Sequence, residues 1–194
     1  MKKILLISFA AAVAVASYAQ TPKFAHVNYA ELVQLMPEAD AARAKLSAQT
    51  KEFEETYKSM IDEYHAKLEQ YQQKAESWTV AIRQSKEREL SEFQNRIQDF
   101  QQTAQGELQQ SQQAEMAPVY KKASETVEKL AKAAGYIYVF DKGSILYIDA
   151  AQSTDLTPAA RKALGIPDGR TLESLQAELQ AQAQAAQAAQ TQTK

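Results

Sequence analysis

The chain of 194 residues has room for one or two domains, but its composition is not that of an ordinary globular protein. Gly and Pro number only five each, and much of the 45% apolar content is Ala, which favours helices but buries little surface. The formal net charge of −2 gives no basic field for nucleic acid, and the lack of Cys excludes disulfides, thiolate chemistry and a lipid-modified N-terminal Cys.

Residues 1–19 have the pattern of a cleavable signal peptide. A charged "MKK" precedes the apolar run "ILLISFAAAVAVA", and the small residues Ser17 and Ala19 predict cleavage after Ala19, before Gln20. The run is short for a membrane span, so an uncleaved anchor is the less favoured alternative. No later segment is expected to cross a membrane. The sequence therefore predicts an exported mature chain, which in a double-membraned bacterium means the periplasm, where ATP is absent.

The mature chain opens with a short predicted strand at Phe24–Asn28, followed by a short helix. Asn28 is a suitable N-cap for this helix, which carries Leu32 and Leu35. Pro37 then either interrupts the helix or begins the next one. We assign residues 20–37 to a β-containing body that is completed by residues 118–167.

A long helical arm is predicted from Glu38 to Ala117, because apolar residues recur there at steps of three and four among charged residues and Gln. This stripe is too narrow for a globular core and favours a coiled coil. Pro37 and Pro118 bracket the run, and the stripe loses its phase near their midpoint. We therefore expect a hairpin that bends near Glu76–Arg83. The alternative is one continuous rod, since no Gly or Pro marks the bend.

After Pro118 the pattern predicts a helix that ends at Gly135, a good C-cap, and then an apolar β-hairpin. The expected strands are Tyr136–Phe140 and Ile145–Ile148, joined by a turn at Asp141–Ser144. The hairpin is thus expected to belong to the same body as the opening strand.

A short helix and a tail complete the chain. Thr157 is the expected N-cap of the helix, with Pro158 at its first position, and Gly165 and Pro167 are expected to end it. Residues 168–194 are rich in Ala and Gln and lack a stable apolar face, so this tail is expected to be frayed or disordered.

The predicted hairpin is apolar at nearly every position, which is typical of strands covered on both faces. A two-stranded ribbon is not stable alone, and the rest of the chain offers only one strand and one helix to cover it. We therefore expect several copies to share one core; the alternative is a small monomeric three-stranded sheet with helices on one side. The residues expected in the shared core are Phe24, Val27, Ile137, Val139, Phe140, Ile145, Leu146 and Ile148.

This layout resembles the Skp/OmpH family of periplasmic chaperones over about Lys23–Ile166. The resemblance is carried by "KFAHVN", "LMPEA", "QNRIQDFQQTAQGELQQSQQ", "MAPVYKKASETVEKLAKAAGYIYVFDKGSILYID" and "TDLTPAARKALGI". The hairpin followed by "DLT" is the most specific part. The resemblance implies an α+β, mainly α fold, in which a small β body trimerises through short strands and each chain extends a long antiparallel coiled-coil helical hairpin.

The resemblance also implies a function: an ATP-independent holdase without cofactors, whose homotrimer binds unfolded outer-membrane β-barrel proteins in a cavity between its arms. Met and aromatic side chains tolerate varied partners. The arm residues expected to contact clients are Phe53, Tyr57, Met60, Tyr64, Tyr71, Trp78, Ile82, Phe93 and Phe100. Glu38–Ala117 contains ten Lys/Arg and fifteen Asp/Glu, which argues against lipopolysaccharide as a partner. A transient contact with a membrane surface stays open.

Other functions find less support in the sequence. The two His residues, His26 and His65, cannot build a zinc site, and neither a G-x-S-x-G motif nor a Gly-rich phosphate loop is present, so we expect no enzyme activity. The main alternative is a structural coiled-coil spacer or scaffold of the cell envelope, which would favour an uninterrupted rod. Two arm residues have open roles: Trp78 clamps the bend or meets clients, and Gly106 is a hinge or a tolerated exposed glycine.

Overall fold

A computed structural model describes residues 22–192; the predicted signal peptide lies outside this range. The chain is mainly helical and divides into two compact units. The arm unit comprises Met36–Lys121, and the body unit comprises the described residues on either side of it.

The body contains a three-stranded parallel sheet. Strand β1 (Phe24–Val27) lies at its centre, β2 (Tyr138–Asp141) pairs with one side of β1, and β3 (Ser153–Asp155) pairs with the other. Three of the four β1 residues are buried, including Val27 at 3% exposure. The opening strand was therefore correctly predicted, and it is the element that joins the two distant strands.

The predicted hairpin does not form within the described chain. Ile145–Ile148, expected as its second strand, has no strand partner there, and the third strand is the polar segment Ser153–Asp155. Both β2 and β3 run parallel to β1, whereas a hairpin would have placed two antiparallel strands side by side. The prediction of strand Ile145–Ile148 is thus wrong for the single chain.

The local cause is the side chain of Asp141, at the end of β2. Its Oδ1 accepts hydrogen bonds from the N–H of Tyr29 at 3.2 Å and from the N–H of Gly143 at 3.3 Å. These bonds hold the chain in a 3₁₀ turn at Lys142–Ser144, which packs against the first helix of the body. The chain therefore leaves β2 toward that helix and does not fold back along β2.

That first helix, α1 (Tyr29–Leu35), is capped as predicted by Asn28. The N–H of Glu31 donates to Asn28 Oδ1 at 3.2 Å, and Asn28 Nδ2 donates to Glu31 Oε2 at 3.0 Å. This reciprocal pair satisfies a donor that the helix itself leaves unbonded. Leu32 and Leu35 are fully buried, so the cap fixes the start of a helix that supplies core side chains.

Two long helices form the arm unit, and the second continues past its last residue, Lys121. Pro37 begins α2 (Pro37–Lys74), residues 75–79 form the bend, and α3 runs from Val80 to Ala134. The bend lies where the loss of phase predicts it, and the continuous rod is excluded. The helix does not end at Pro118, as the sequence pattern led us to expect, but passes through it.

Glycine ends α3 and the next helix in the same way. Gly135 has φ 73° and Gly165 has φ 71°, and each donates its N–H to a carbonyl three residues earlier, at 3.2 Å. Helix α4 spans Thr157–Ala163. Thr157 is its first residue and not its N-cap: the Thr157 N–H donates to Asp155 Oδ1 at 2.8 Å, while Thr157 Oγ1 accepts from the N–H of Asn28 at 2.9 Å.

Within the tail that the sequence predicts to be frayed or disordered, the structure has a helix, α5 (Leu172–Gln192). The start of α5 packs against the body, where the Leu175 side chain is buried at 5% exposure. Arg161 adds polar contacts: one guanidinium nitrogen pairs with Glu31 Oε1 at 2.6 Å, and the other donates to the carbonyl of Arg170 at 2.5 Å. These tertiary contacts hold the start of α5 against the body.

Gly106 lies inside α3, where a Cβ would meet no atom within 4 Å. We expect Gly106→Ala to stabilise the arm by about 1 kcal/mol, because alanine has the higher helix propensity. Thermal unfolding followed by circular dichroism at fixed protein concentration would measure the change. Gly135→Ala is the matched control and should destabilise, because its φ of 73° is unfavourable for a residue with a Cβ. A lower melting temperature for Gly106→Ala would show that the helix needs to bend there.

Candidate functional site

The apolar stripes of α2 and α3 pack against each other. We call this interface between the two arm helices the seam. The Phe53 and Phe100 rings meet edge to face with centroids 6.0 Å apart, and the Tyr64 and Phe93 centroids are 6.4 Å apart. Ile97 and Ala104 are also buried. Polar pairs flank this seam, since Lys45 Nζ lies 2.8 Å from Glu115 Oε2. The arm is thus an antiparallel pair of helices, as predicted.

The nine predicted contact residues differ in exposure. Phe93 is only 2% exposed and belongs to the interior of the seam, whereas Ile82 is 45% exposed. The other seven are half-buried: Phe53, Tyr57, Met60, Tyr64, Tyr71, Trp78 and Phe100. Most of these side chains therefore have two faces, one that holds the arm together and one that is open to solvent.

Three apolar side chains at or next to the bend reach solvent. Trp78 is half-buried and its ring packs against Tyr71, with centroids 5.9 Å apart. Val80 is 60% exposed and Ile82 is 45% exposed. Val80 was missed by the sequence reasoning because it falls outside the repeating stripe; its position right after the loss of phase was the available signal.

An ion network reinforces the half of the seam nearer the bend. Lys67 Nζ lies 2.6 Å from Glu89 Oε1, and Lys86 Nζ lies 2.7 Å from Glu89 Oε2. The hydrogen bonds from Lys67 and then Lys86 lower the pKa of Glu89 from 4.5 to about 2. The hydrogen bond to Glu89 likewise raises the pKa of Lys67. The ammonium of Lys67 also lies 5.8 Å from the centroid of the Phe93 ring.

In the Glu89→Gln variant, we expect the free energy of unfolding of the arm to decrease less than in the wild type as the pH falls below 4.5. Because the folded pKa of Glu89 is depressed, its contribution is present above pH 4.5 and is lost as the pH falls toward 2. The size is small because Glu89 is 39% exposed and solvent screens the pair. Thermal unfolding between pH 7 and pH 2 would test this, with Glu54→Gln, at an exposed position, as the control. Parallel pH profiles of wild type and Glu89→Gln would contradict it.

The body also exposes large apolar side chains, on β2 and in the segment that follows it. The exposed fractions are 56% for Ile137, 44% for Phe140 and 108% for Leu146. Of the other residues predicted for the shared core, Val27 is buried, and Phe24, Val139, Ile145 and Ile148 are half-buried. Tyr138 at 60% and Tyr147 at 81% were not predicted, although both lie inside the predicted strands.

Aromatic packing organises part of this surface. The rings of Phe24 and Tyr138 stack with centroids 6.4 Å apart, and the centroids of Tyr138 and Phe140 are 6.0 Å apart. Phe24 pairs with Tyr138 across the β1–β2 ladder, so the sheet register brings these rings together. The result is an aromatic patch on one face of β1 and β2.

An apolar cleft of about 440 Å³ opens on the body between the end of α3 and the sheet. Val127 and Ala131 line it from α3, and Val27 and Val139 line it from the strands. Ile137 lies at its side, and Lys132 and Asp141 add charge to the lining. Strand β2 is at the edge of the sheet, with a strand partner on one side only within residues 22–192.

The histidines lie apart. His26 is buried at 7% exposure in β1, where its Nδ1 is 2.9 Å from Ser153 Oγ and its Nε2 is 3.8 Å from Asp155 Oδ2. These contacts join β1 to β3 and bury the ring in the sheet. His65 is exposed on the arm beside Tyr64. Among residues 22–192, no group of three acidic or His side chains is placed to hold a metal ion.

None of the helices between residues 22 and 192 combines the length and apolarity needed to span a membrane.

The comparisons with known proteins agree with this architecture. A family model described as "Outer membrane protein (OmpH-like)" matches residues 23–164. Among solved structures, the chain is similar to a protein of Caulobacter crescentus CB15 described as an outer membrane chaperone (OmpH-like), with a TM-score of 0.67 and 16% sequence identity. The similarity covers 74% of this chain and 84% of that one. No curated protein matches the chain. The predicted fold class, mainly helical with a small sheet and two long helices, is confirmed.

Proposed function

Because the chain belongs to the OmpH-like family of outer membrane proteins, we propose that it is a periplasmic chaperone that holds unfolded outer-membrane β-barrel proteins without using nucleotide. The observation that carries this proposal is the family match over residues 23–164, which includes the body strands and both arm helices. The chaperone description of the Caulobacter protein supports it. We propose a binding protein and no enzyme.

Holding requires only preferential binding. A protein that binds the unfolded form of a client lowers the concentration of free unfolded chain, and with it the rate of aggregation. Holding needs no energy input. This agrees with a periplasmic location, because ATP is absent there. Release follows when the client reaches a more stable state, such as the folded barrel in its membrane.

The proposed client contacts are the arm side chains that reach solvent. Ile82 and Val80 offer fully apolar surface near the bend, and Met60 and the half-buried aromatic residues offer adaptable edges. Phe93 is left out, because it packs inside the seam. Each contact is small, so retention depends on many weak contacts made together.

We propose that several copies, three by family resemblance, associate through the body and so surround the client with their arms. The support is the exposed apolar surface of the body, with Ile137, Tyr138 and Tyr147 each more than half exposed. The rings of Phe24, Tyr138 and Phe140 form one patch within it. Exposed apolar patches are unfavourable in water and are typical of interaction sites. The net acidic arm gives no reason to include lipopolysaccharide among the partners.

The proposal is tested by adding a urea-unfolded outer-membrane β-barrel protein to the purified mature chain in the absence of nucleotide. We expect light scattering from aggregates to be suppressed in proportion to the added chain. A protein with the same net charge and no apolar arm serves as control. Scattering that rises as fast as without the chain would refute the holdase function. The spacer alternative predicts that result, but the bend at residues 75–79 counts against it.

A further inference from the structure

We propose that a row of glutamines on α3 binds the main-chain peptide groups of the unfolded client and so keeps client strands from pairing with one another. The inference rests on the proposed function and deepens it, because it names the chemical group of the client that this surface contacts. It concerns the arm unit alone.

The glutamines follow the seam position by position. Between Phe93 and Ser111, the buried and half-buried side chains of α3 are Phe93, Ile97, Phe100, Ala104, Leu108 and Ser111. The residue directly after each of them is an exposed glutamine. We call these residues the glutamine row: Gln94, Gln98, Gln101, Gln105, Gln109 and Gln112. Neighbouring residues of an α-helix differ by about 100° of rotation, so the row lies along one flank of the seam.

The other flank of the seam has a different composition. The residues directly before the same seam positions are exposed as well, but this flank carries the charges of Glu92, Arg96, Asp99 and Glu107. Glutamine, glutamate, lysine and arginine are similarly good helix formers, so helix propensity would distribute them over both flanks. Their separation therefore indicates that the flank with the glutamine row is required to be uncharged.

The glutamine row offers hydrogen-bonding groups that the protein does not use. Within residues 22–192, none of its side-chain amides bonds to another group of the chain. Each amide has two N–H donors and one carbonyl acceptor, and can therefore bond both the C=O and the N–H of a peptide group. Between Arg96 and Lys121 the helix contains no Lys or Arg, so no cationic side chain of α3 competes for client carbonyls along most of the row.

The length of the row suits an extended polypeptide. Gln94 and Gln112 are 18 positions apart, which is about 27 Å along the helix axis. An extended strand of about eight residues spans the same distance. Its peptide groups point to one side every ~6.8 Å, and successive glutamines of the row are ~5.4 Å apart along the axis. The flexible glutamine side chains can take up this difference.

The occupant that fits these groups is the unfolded client itself. A barrel protein in its membrane pairs its peptide groups between strands, so the unfolded form carries the same groups unpaired. Unpaired strands bond to one another and aggregate. The peptide group is common to all clients, so amides that bind it require no particular client sequence. A single such contact in water is weak, and the row acts through several contacts made together.

The test removes the middle of the row. The row variant, Gln98→Ala/Gln101→Ala/Gln105→Ala, keeps the helix, because alanine has the higher helix propensity. Its dissociation constant for a dye-labelled, urea-unfolded outer-membrane β-barrel protein is measured by fluorescence anisotropy after dilution of the urea. We expect an increase of about tenfold over wild type, the combined effect of three weak hydrogen bonds.

The matched control removes glutamines of the same helix that lie outside the row. Gln102→Ala/Gln110→Ala/Gln113→Ala changes three residues that are also exposed. Its dissociation constant should stay within about twofold of wild type, because it leaves the contacting flank intact. Equal dissociation constants for the row variant and the control would overturn the proposal. A wild type that suppresses client aggregation together with this result refutes only the present inference, whereas a wild type that does not suppress aggregation refutes the proposed function.

Amide hydrogen exchange of the bound client reports on its main chain directly. At chaperone concentrations that keep the client fully bound, client amides should exchange faster in the complex with the row variant than in the complexes with wild type and control. Equal exchange in all three complexes would contradict the assignment to peptide groups. Light-scattering mass without client should be the same for the three proteins. A lower mass for the row variant would show that the row joins copies of the chain, and would overturn the proposal.

Discussion

Replacement of Ile137 by Asp is expected to leave the protein as separate, folded chains. The Ile137 side chain is 56% exposed, and its N–H donates to the carbonyl of Lys23 at 3.1 Å, a bond that the substitution preserves. The single chain therefore tolerates the change, whereas an apolar interface would have to bury an unpaired carboxylate, at a cost of several kcal/mol. Light-scattering mass after gel filtration at micromolar concentration measures the outcome.

Ile82→Asp is the matched control, because Ile82 is similarly exposed at 45% but lies on the arm. Ile82→Asp should keep the assembled mass and weaken client retention. Ile137→Asp should instead show the mass of a single chain. Trp78 is the only Trp of the chain, so its fluorescence should change when client is added to the assembled wild type. An Ile137→Asp protein that stays assembled but loses client binding would contradict this division of roles between body and arm.

Replacement of Phe93 by Ala is expected to destabilise the arm by about 3 kcal/mol, the cost of a large cavity at a well-packed site. Phe93 is 2% exposed and lies against Tyr64, and the Arg96 guanidinium lies 4.4 Å from its ring centroid. The substitution removes these contacts together. Urea unfolding followed by circular dichroism would show the loss as a lower midpoint.

Ile82→Ala provides the contrast, because an exposed side chain contributes little to the folded state. Its unfolding midpoint should stay near that of wild type, while its suppression of client aggregation should fall. Below the unfolding transition, Phe93→Ala should still suppress aggregation, since its side chain is not a proposed client contact. Equal midpoints for Phe93→Ala and wild type would show that the seam is not held by this residue.

The local features of the fold could be predicted from the sequence because each has a short-range cause. Asn28 caps α1 through a residue three positions away, and Gly135 and Gly165 end helices by adopting positive φ. The bend was found from the loss of apolar phase, although its residues contain neither Gly nor Pro. Such signals are contained in a few neighbouring residues and need no knowledge of the remaining chain.

Several of the errors have a different origin, since they depend on packing that the local pattern does not show. Ser153–Asp155 has no apolar pattern, and it is a strand because β1, more than a hundred positions earlier, offers it an edge and His26 bonds Ser153. Pro118 was expected to end the helix, but its neighbour Val119 is 2% exposed, and its packing offsets the missing hydrogen bond. The tail helix likewise depends on the burial of Leu175.

The candidate contact surface was predictable only in part. Apolar periodicity identifies which side chains lie on the stripe of the arm, but a two-helix arm uses that stripe for its own seam. The structure shows that Phe93 lies inside the seam and Ile82 outside it. The spacing of apolar residues along the sequence does not distinguish these two positions. For the body, the apolar character of Ile145–Ile148 was evident in the sequence. Its predicted hairpin partner, β2, pairs with β1 instead.

The central position of β1 determines the order in which the protein can fold. His26 and Ser153, which meet across the sheet, are 127 positions apart, so the first strand made has no partner until most of the chain has been synthesised. A loop of that length is costly to close by random search. The arm helices, in contrast, can begin pairing across the five-residue bend and lengthen toward their bases. Formation of the arm thus shortens the loop that must close before the sheet can form. Substitutions that weaken the seam should therefore lower the refolding rate more than substitutions in β3.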